Sequence, residues 1–130
     1  MNREIFRRFV NAINKHDIDE IHSLLAEDQS FTDAHGNEVV GRDKMKAGWA
    51  AYFQLFPDYS IEITDLFAED ELVLAFGFAS GTFPVKKASA AAAHWRLPAA
   101  WKAIVRDGRI QRWQVYADTK IPFEIIEKNR

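Results

Sequence analysis

The sequence predicts an α+β fold with its helices first and its sheet second, and three observations carry that reading. Before Pro57, apolar residues recur at helical spacing in three stretches. After Pro57 the apolar period changes to two. The later apolar runs are joined by turn signals, not by crossover helices, which argues for an antiparallel sheet with helices on one face.

Over residues 3–15, Ile5, Phe6, Phe9, Ala12 and Ile13 share one helical face, while Arg3, Arg7, Asn11 and Lys15 fall elsewhere. Asp17 followed by Glu20 is a capping-box variant that opens a second helix, whose apolar face is Ile18, Ile21, Leu24 and Leu25. The polar run from Ala26 to Phe31 ends it. Asp43 is read as the N-cap of a third helix reaching Phe56, with Met45, Trp49, Tyr52, Phe53 and Phe56 as an aromatic stripe. Pro57-Asp58 stops that helix.

Tyr59, Ile61 and Ile63 then alternate with Ser60, Glu62 and Thr64 as in a strand. Leu72 to Ser80 is apolar on both sides, which predicts a central strand. A third strand region covers His94 to Arg106. Asp107-Gly108 between two apolar runs is the strongest hairpin signal in the chain, and Ile110 to Ala117 is the strand that follows it. Ile121 to Lys128 predicts a short terminal helix. The alanine-rich stretch from Lys86 to Ala93 suits a loop, a helical turn or a hairpin tip equally.

The chain of 130 residues suits one domain, residues 1–130. Ten Phe and four Trp are a heavy aromatic load that must go into a core, an interface or a pocket. A net charge of -2 gives no basic excess for nucleic acid. No apolar run reaches the roughly 18 residues that would cross a membrane, and MNREIFRRF does not read as a secretory signal. The expectation is a cytoplasmic protein. The absence of Cys removes disulfides, thiolate metal sites and Cys nucleophiles. His16, His22, His35 and His94 lie in separate elements, so neither a metal nor a cofactor is expected.

Several local motifs carry a family resemblance. They are Phe31-Thr32-Asp33-Ala34-His35-Gly36-Asn37 with Val40-Gly41-Arg42-Asp43 before the third helix, Phe56-Pro57-Asp58 at its end, and Asp107-Gly108-Arg109-Ile110 with Trp113 in the last hairpin. Their order resembles the nuclear transport factor 2-like superfamily, and within it the SnoaL-like and ketosteroid-isomerase-like group. The resemblance implies a cone-shaped α+β barrel, a curved sheet of four to six strands wrapped around the N-terminal helices. It also implies a homodimer formed through the outer sheet face. It does not fix function, because the group includes isomerases, cyclases, epoxide hydrolases and non-enzymatic binding domains.

The resemblance places Asp33 where ketosteroid isomerases carry their general base, a carboxylate whose raised pKa suits moving a proton beside a carbonyl. The competing reading is a turn residue bonded to its own backbone. The oxyanion partners of that chemistry are replaced: Phe9 stands at the Tyr position of the first helix, and Trp101 approximately at the acid of the third strand. Trp49 replaces a supporting Tyr. Further polar candidates are His94 at the start of a strand, Asp118 at the end of the last strand, and Asp65. Alternation from Trp113 turns Asp118 away from the inward face unless a bulge intervenes.

The expected pocket is apolar and flat-walled. Leu74, Phe76 and Phe78 are assigned to its face of the central strand, with Trp101, Ala103 and Val105, then Trp113, Val115 and Ala117, on the last two. Trp49, Tyr52 and Phe53 approach from the third helix, and Phe9 from the first. Val73, Ala75, Ala79, Ile104, Ile110 and Tyr116 are assigned to the outer face as the dimer contact. Three functions follow as expectations. One is a cofactor-free isomerase, cyclase or epoxide-hydrolase-like enzyme using Asp33 on a small hydrophobic compound. The second is a binding protein for an aromatic or lipid-like ligand. The third is a dimerisation domain with a filled core.

Overall fold

The computed structural model describes residues 1–84 and 93–129, so the conformation of the alanine-rich stretch lies largely outside the described residues. The elements run α1 (Asn2–Asn14), α2 (Ile18–Leu24), β1 (Leu25–Thr32), β2 (Glu38–Val40), α3 (Arg42–Leu55), β3 (Ser60–Glu69), β4 (Leu72–Thr82), β5 (His94–Arg106), β6 (Arg109–Ala117) and α4 (Lys120–Lys128). Six strands form one sheet in the order β2-β1-β6-β5-β4-β3. The fold is α+β, as predicted. The sheet curves without closing, so β2 and β3 are edges and the cone is open, not a barrel.

Two strands escape the sequence pattern. β1 begins at Leu25, directly after α2, and its polar sequence hides it. It pairs in parallel with β6, the one departure from an antiparallel sheet, and carries the short edge strand β2. The helix starts also sharpen. Asp17 caps α2 by accepting from the Glu20 N–H at 3.1 Å. α3 starts earlier than predicted: Gly41 is its N-cap at φ +98°, and Asp43 lies in the first turn, 2.7 Å from His22 Nε2. The Asp107-Gly108 turn has both residues at positive φ, as a type I′ hairpin requires.

The inward face of β4 is Val73, Ala75, Gly77, Ala79 and Gly81, the reverse of the face predicted from aromatic content. Small residues are needed there. A Cβ on Gly77 would stand 1.8 Å from the Glu62 carbonyl oxygen, and one on Gly81 would meet Phe56 and Trp95 at 3.1 Å. The space in front of β4 is filled by large rings from elsewhere, Trp101 among them, paired beside Ala75. Phe76 and Phe78 therefore point outward. Ile110 also corrects to the inside, because a register shift at the Ile104/Val105 pairing turns it into the core. Trp101, Ala103 and Val105 face inward as expected, with Trp113 packed on Phe6 at 5.1 Å and Phe9 at 4.8 Å.

Candidate functional site

Two adjoining cavities lie between the inward sheet face, α3 and α4. The larger, about 330 Å³, is walled by Phe31, Val39, Met45, Trp49, Tyr52, Trp113 and Val115, with Gly48 also on its lining. Its polar contributors are Asp33, His35, Thr119 and Tyr59. The smaller, about 140 Å³, is walled by Leu55, Phe56, Ala79, Trp95, Leu97, Ala99, Ala117, Pro122 and Ile126. Tyr52, Tyr59, Val115, Thr119 and Phe123 border both. A separate hollow of about 380 Å³ is an open, charged surface feature lined by Arg42, Arg106 and Arg109 with Glu27 and Asp107. Its Arg106 is already paired with Glu71 at 2.9 Å, and it offers little apolar wall.

The cavity walls are held by ring packing. Trp49 sits 5.5 Å from Phe53 and 6.4 Å from Phe9, which supports it from behind. Its indole N–H is buried without a hydrogen-bond partner. Tyr52 and Tyr59 meet edge to face at 4.9 Å. Burial pushes both phenol pKa values up, and Tyr59 is raised further by its neighbour Tyr52, so both remain neutral O–H groups.

Asp33 reaches the cavity from the loop between β1 and β2, but its carboxylate is engaged by its own turn. Oδ1 accepts from the His35 N–H at 2.8 Å and the Asn37 N–H at 2.9 Å, and Oδ2 from Asn37 Nδ2 at 3.1 Å. Partial burial pushes its pKa up, yet the bonds from Asn37 and His35 and the nearby imidazole outweigh that, leaving it lowered. The raised pKa expected of a general base is not what this turn produces. His35 Nε2 is 2.7 Å from Thr119 Oγ1, and its ring meets Phe123 edge-on at 5.2 Å. This pair ties the β1–β2 loop to the start of α4.

The structure thus gathers Asp33, Trp49, Tyr52 and Trp113 at one cavity and disperses the other sequence candidates. Phe9 and Trp101 are core residues behind it. Phe53 lies under His16, with the rings stacked at 3.9 Å. Phe76 is on the outer face, and so is Phe78, whose ring lies 3.8 Å beneath the Arg96 guanidinium. His94 is exposed at the far end of β5, where its Nδ1 is 2.8 Å from Thr82 Oγ1 and Asp58 accepts from the same hydroxyl at 2.6 Å. Asp118 is exposed and accepts from the Lys120 N–H at 3.1 Å, and Asp65 accepts from Thr64 at 2.9 Å. Among the described residues no three His, Asp or Glu side chains gather as a metal site, and no helix is long and apolar enough to cross a membrane.

Sequence reasoning missed Tyr59, Thr119, Phe123 and the cavity role of His35. Tyr59 reads as the first residue of a strand, and His35 as a turn residue. Thr119 is 84 residues from the His35 that it contacts, so no local pattern joins them.

The architecture is an open α+β cone with helices over an apolar chamber. The sequence profile of the SnoaL-like domain matches residues 6–113, and the chain belongs to that family. No curated protein sequence matches it. A putative polyketide cyclase from Xanthomonas campestris pv. campestris superposes with a TM-score of 0.80 at 21% identity, over 92% of this chain and 91% of that one. A putative SnoaL-like polyketide cyclase from Shewanella denitrificans gives 0.83 at 13% identity, over 98% and 97%. An LEH-like epoxide hydrolase from M. tuberculosis gives 0.78 at 17% identity, over 97% and 89%. At these identities the likeness concerns the fold.

Proposed function

We propose that this chain binds a flat, largely apolar small molecule bearing a carbonyl-type acceptor in the larger cavity. One observation carries the reading: an apolar chamber of about 330 Å³, within the range that ligand sites occupy, is bordered by two tyrosines whose buried phenols stay neutral. Trp49 and Trp113 supply flat walls, and a Tyr52 or Tyr59 O–H would donate to the ligand oxygen. The probe is 2-acetylnaphthalene, titrated against tryptophan fluorescence. Saturable quenching is expected, and Tyr52→Phe or Tyr59→Phe, whichever removes the donor, weakens binding about tenfold, the worth of one net hydrogen bond of roughly 1.4 kcal/mol. No saturable binding, or unchanged affinity in both Tyr52→Phe and Tyr59→Phe, contradicts the reading.

Catalysis by proton transfer is a second reading, favoured by Asp33 and His35 both lining the chamber. Asp33 would take a proton from the carbon beside the carbonyl while a tyrosine O–H holds the developing enolate oxygen, and protonated Asp33 would return it. A ligand that covers the turn would desolvate the carboxylate and raise its pKa toward that task. The measurement is deuterium uptake at the methyl group of 2-acetylnaphthalene in heavy water. Uptake that the chain accelerates and Asp33→Asn abolishes, with binding retained, supports this reading. Equal uptake in both proteins leaves binding alone.

The outer sheet face extends the proposal to a homodimer. Phe76, Ala100 and Tyr116 form one row across β4, β5 and β6, and Phe76 and Tyr116 are 47% and 49% exposed. Arg96 and Glu62, bonded at 3.0 Å beside this row, put both charges on a face that must complement itself.

A further inference from the structure

The smaller cavity is not an isolated packing defect. It shares Tyr52, Tyr59, Val115, Thr119 and Phe123 with the larger one, so a single layer of side chains separates the two. Its own walls, Leu55, Phe56, Ala79, Leu97 and Ala99 among them, are apolar, and the Trp95 indole N–H is buried. The Thr119 hydroxyl at the divide is engaged by His35 at 2.7 Å. A volume of about 140 Å³ is close to that at which an apolar protein cavity stays dry and takes up a benzene-sized guest, about 150 Å³.

The divide is also unequal in firmness. Tyr59 is 6% exposed and fixed between Tyr52 and Trp95, whereas Phe123 is 55% exposed on α4. Among the described residues, Pro122 and Ile125 are the only buried residues of α4. Rotation of Phe123 is therefore the least costly way to join the chambers.

We infer that the two cavities form one bipartite site, in which the larger chamber takes a flat carbonyl-bearing head and the smaller takes an apolar arm about as large as one ring or a short alkyl chain. This deepens the binding reading and rests on it. It also makes Ala79 and Ala99 specificity-determining positions, since both line the arm chamber alone.

The experiment is a binding series of 2-acylnaphthalenes, from acetyl to octanoyl, against the wild-type chain, Ala79→Leu and Ala99→Leu. Circular dichroism and the affinity for 2-acetylnaphthalene establish that each variant is folded, and two variants guard against the failure of one. In the wild type, affinity should rise about fourfold per added methylene and level off once the arm chamber is full. In the variants the rise should vanish while 2-acetylnaphthalene binds within about twofold of wild type. A flat wild-type series with the acetyl compound still bound overturns the bipartite site and leaves the head chamber standing. The same rise in wild type and both variants overturns it too, because the arm then lies elsewhere. Failure of 2-acetylnaphthalene itself to bind overturns the underlying reading.

Discussion

Asp33 and Asp58 show how one residue type serves two roles on the same physics. Asp33 is half-buried and Asp58 exposed; in each, desolvation pushes the pKa up and hydrogen bonds pull it below the ordinary carboxylate value, from Asn37 and His35 in one case and from Thr82 in the other. Groups with lowered pKa values stabilise the fold above the ordinary carboxylate range, and that contribution is lost as pH falls through the lowered value. Asp58 accepts from the Thr82 N–H and hydroxyl, both at 2.6 Å, and so pins the loop after α3 to the end of β4. Asp58→Ala should lower stability by about 0.5–1 kcal/mol at neutral pH, since solvent screens bonds to an exposed carboxylate. The gap from wild type should close as urea melts are repeated toward pH 2. A gap independent of pH would show that the carboxylate charge is not what the site uses. The sequence singled out Asp33 as a candidate general base, and the structure places it on the lining of the larger cavity. It could not show that Asn37 holds the carboxylate, because turn residue and proton acceptor require the same Asp at the same place.

At the scale of elements, α3 is where sequence and site meet most directly. Its stripe of Met45, Trp49 and Tyr52 was legible from helical spacing alone and forms a wall of the chamber. Gly48 lies on that lining, and a Cβ there would meet only the flexible end of Met45 at 3.5 Å. Gly48→Ala should therefore stabilise the chain by roughly 0.5–1 kcal/mol, the usual helix gain over glycine, read as a higher urea midpoint. Gly48→Leu projects into the chamber and should abolish saturable binding of 2-acetylnaphthalene in a folded protein. Unchanged binding would place the ligand elsewhere. β4 shows the opposite case. A strand apolar on both sides carries no phase information, and large rings were the wrong guide to its inner face. Space decides it: a Cβ at Gly81 would meet Phe56 and Trp95, one at Gly77 would meet the Glu62 backbone, and Val73, Ala75 and Ala79 are buried on the same face. β1 was invisible for a related reason, since its polar side chains mask a strand that its pairing with β6 and β2 defines.

At the scale of the whole molecule, the open sheet divides the aromatic load between two surfaces. Trp49, Trp113, Tyr52 and Tyr59 surround the chambers, while Phe76, Phe78 and Tyr116 are left on the outer face. If a second copy covers that face, Phe76→Glu should convert a dimer to a folded monomer by light scattering, because burying an unpaired charge at the contact costs several kcal/mol. A wild-type chain that is monomeric at tens of micromolar would contradict the dimer. The larger chamber, walled by Trp49 and Trp113, is where a ligand would bind. A crystal structure of the chain soaked with 2-acetylnaphthalene tests it most directly. The expected result is the flat rings between Trp49 and Trp113, with the carbonyl oxygen within hydrogen-bond distance of the Tyr52 or Tyr59 hydroxyl. A chamber left empty at saturating ligand, or the ligand bound only outside it, would contradict the account.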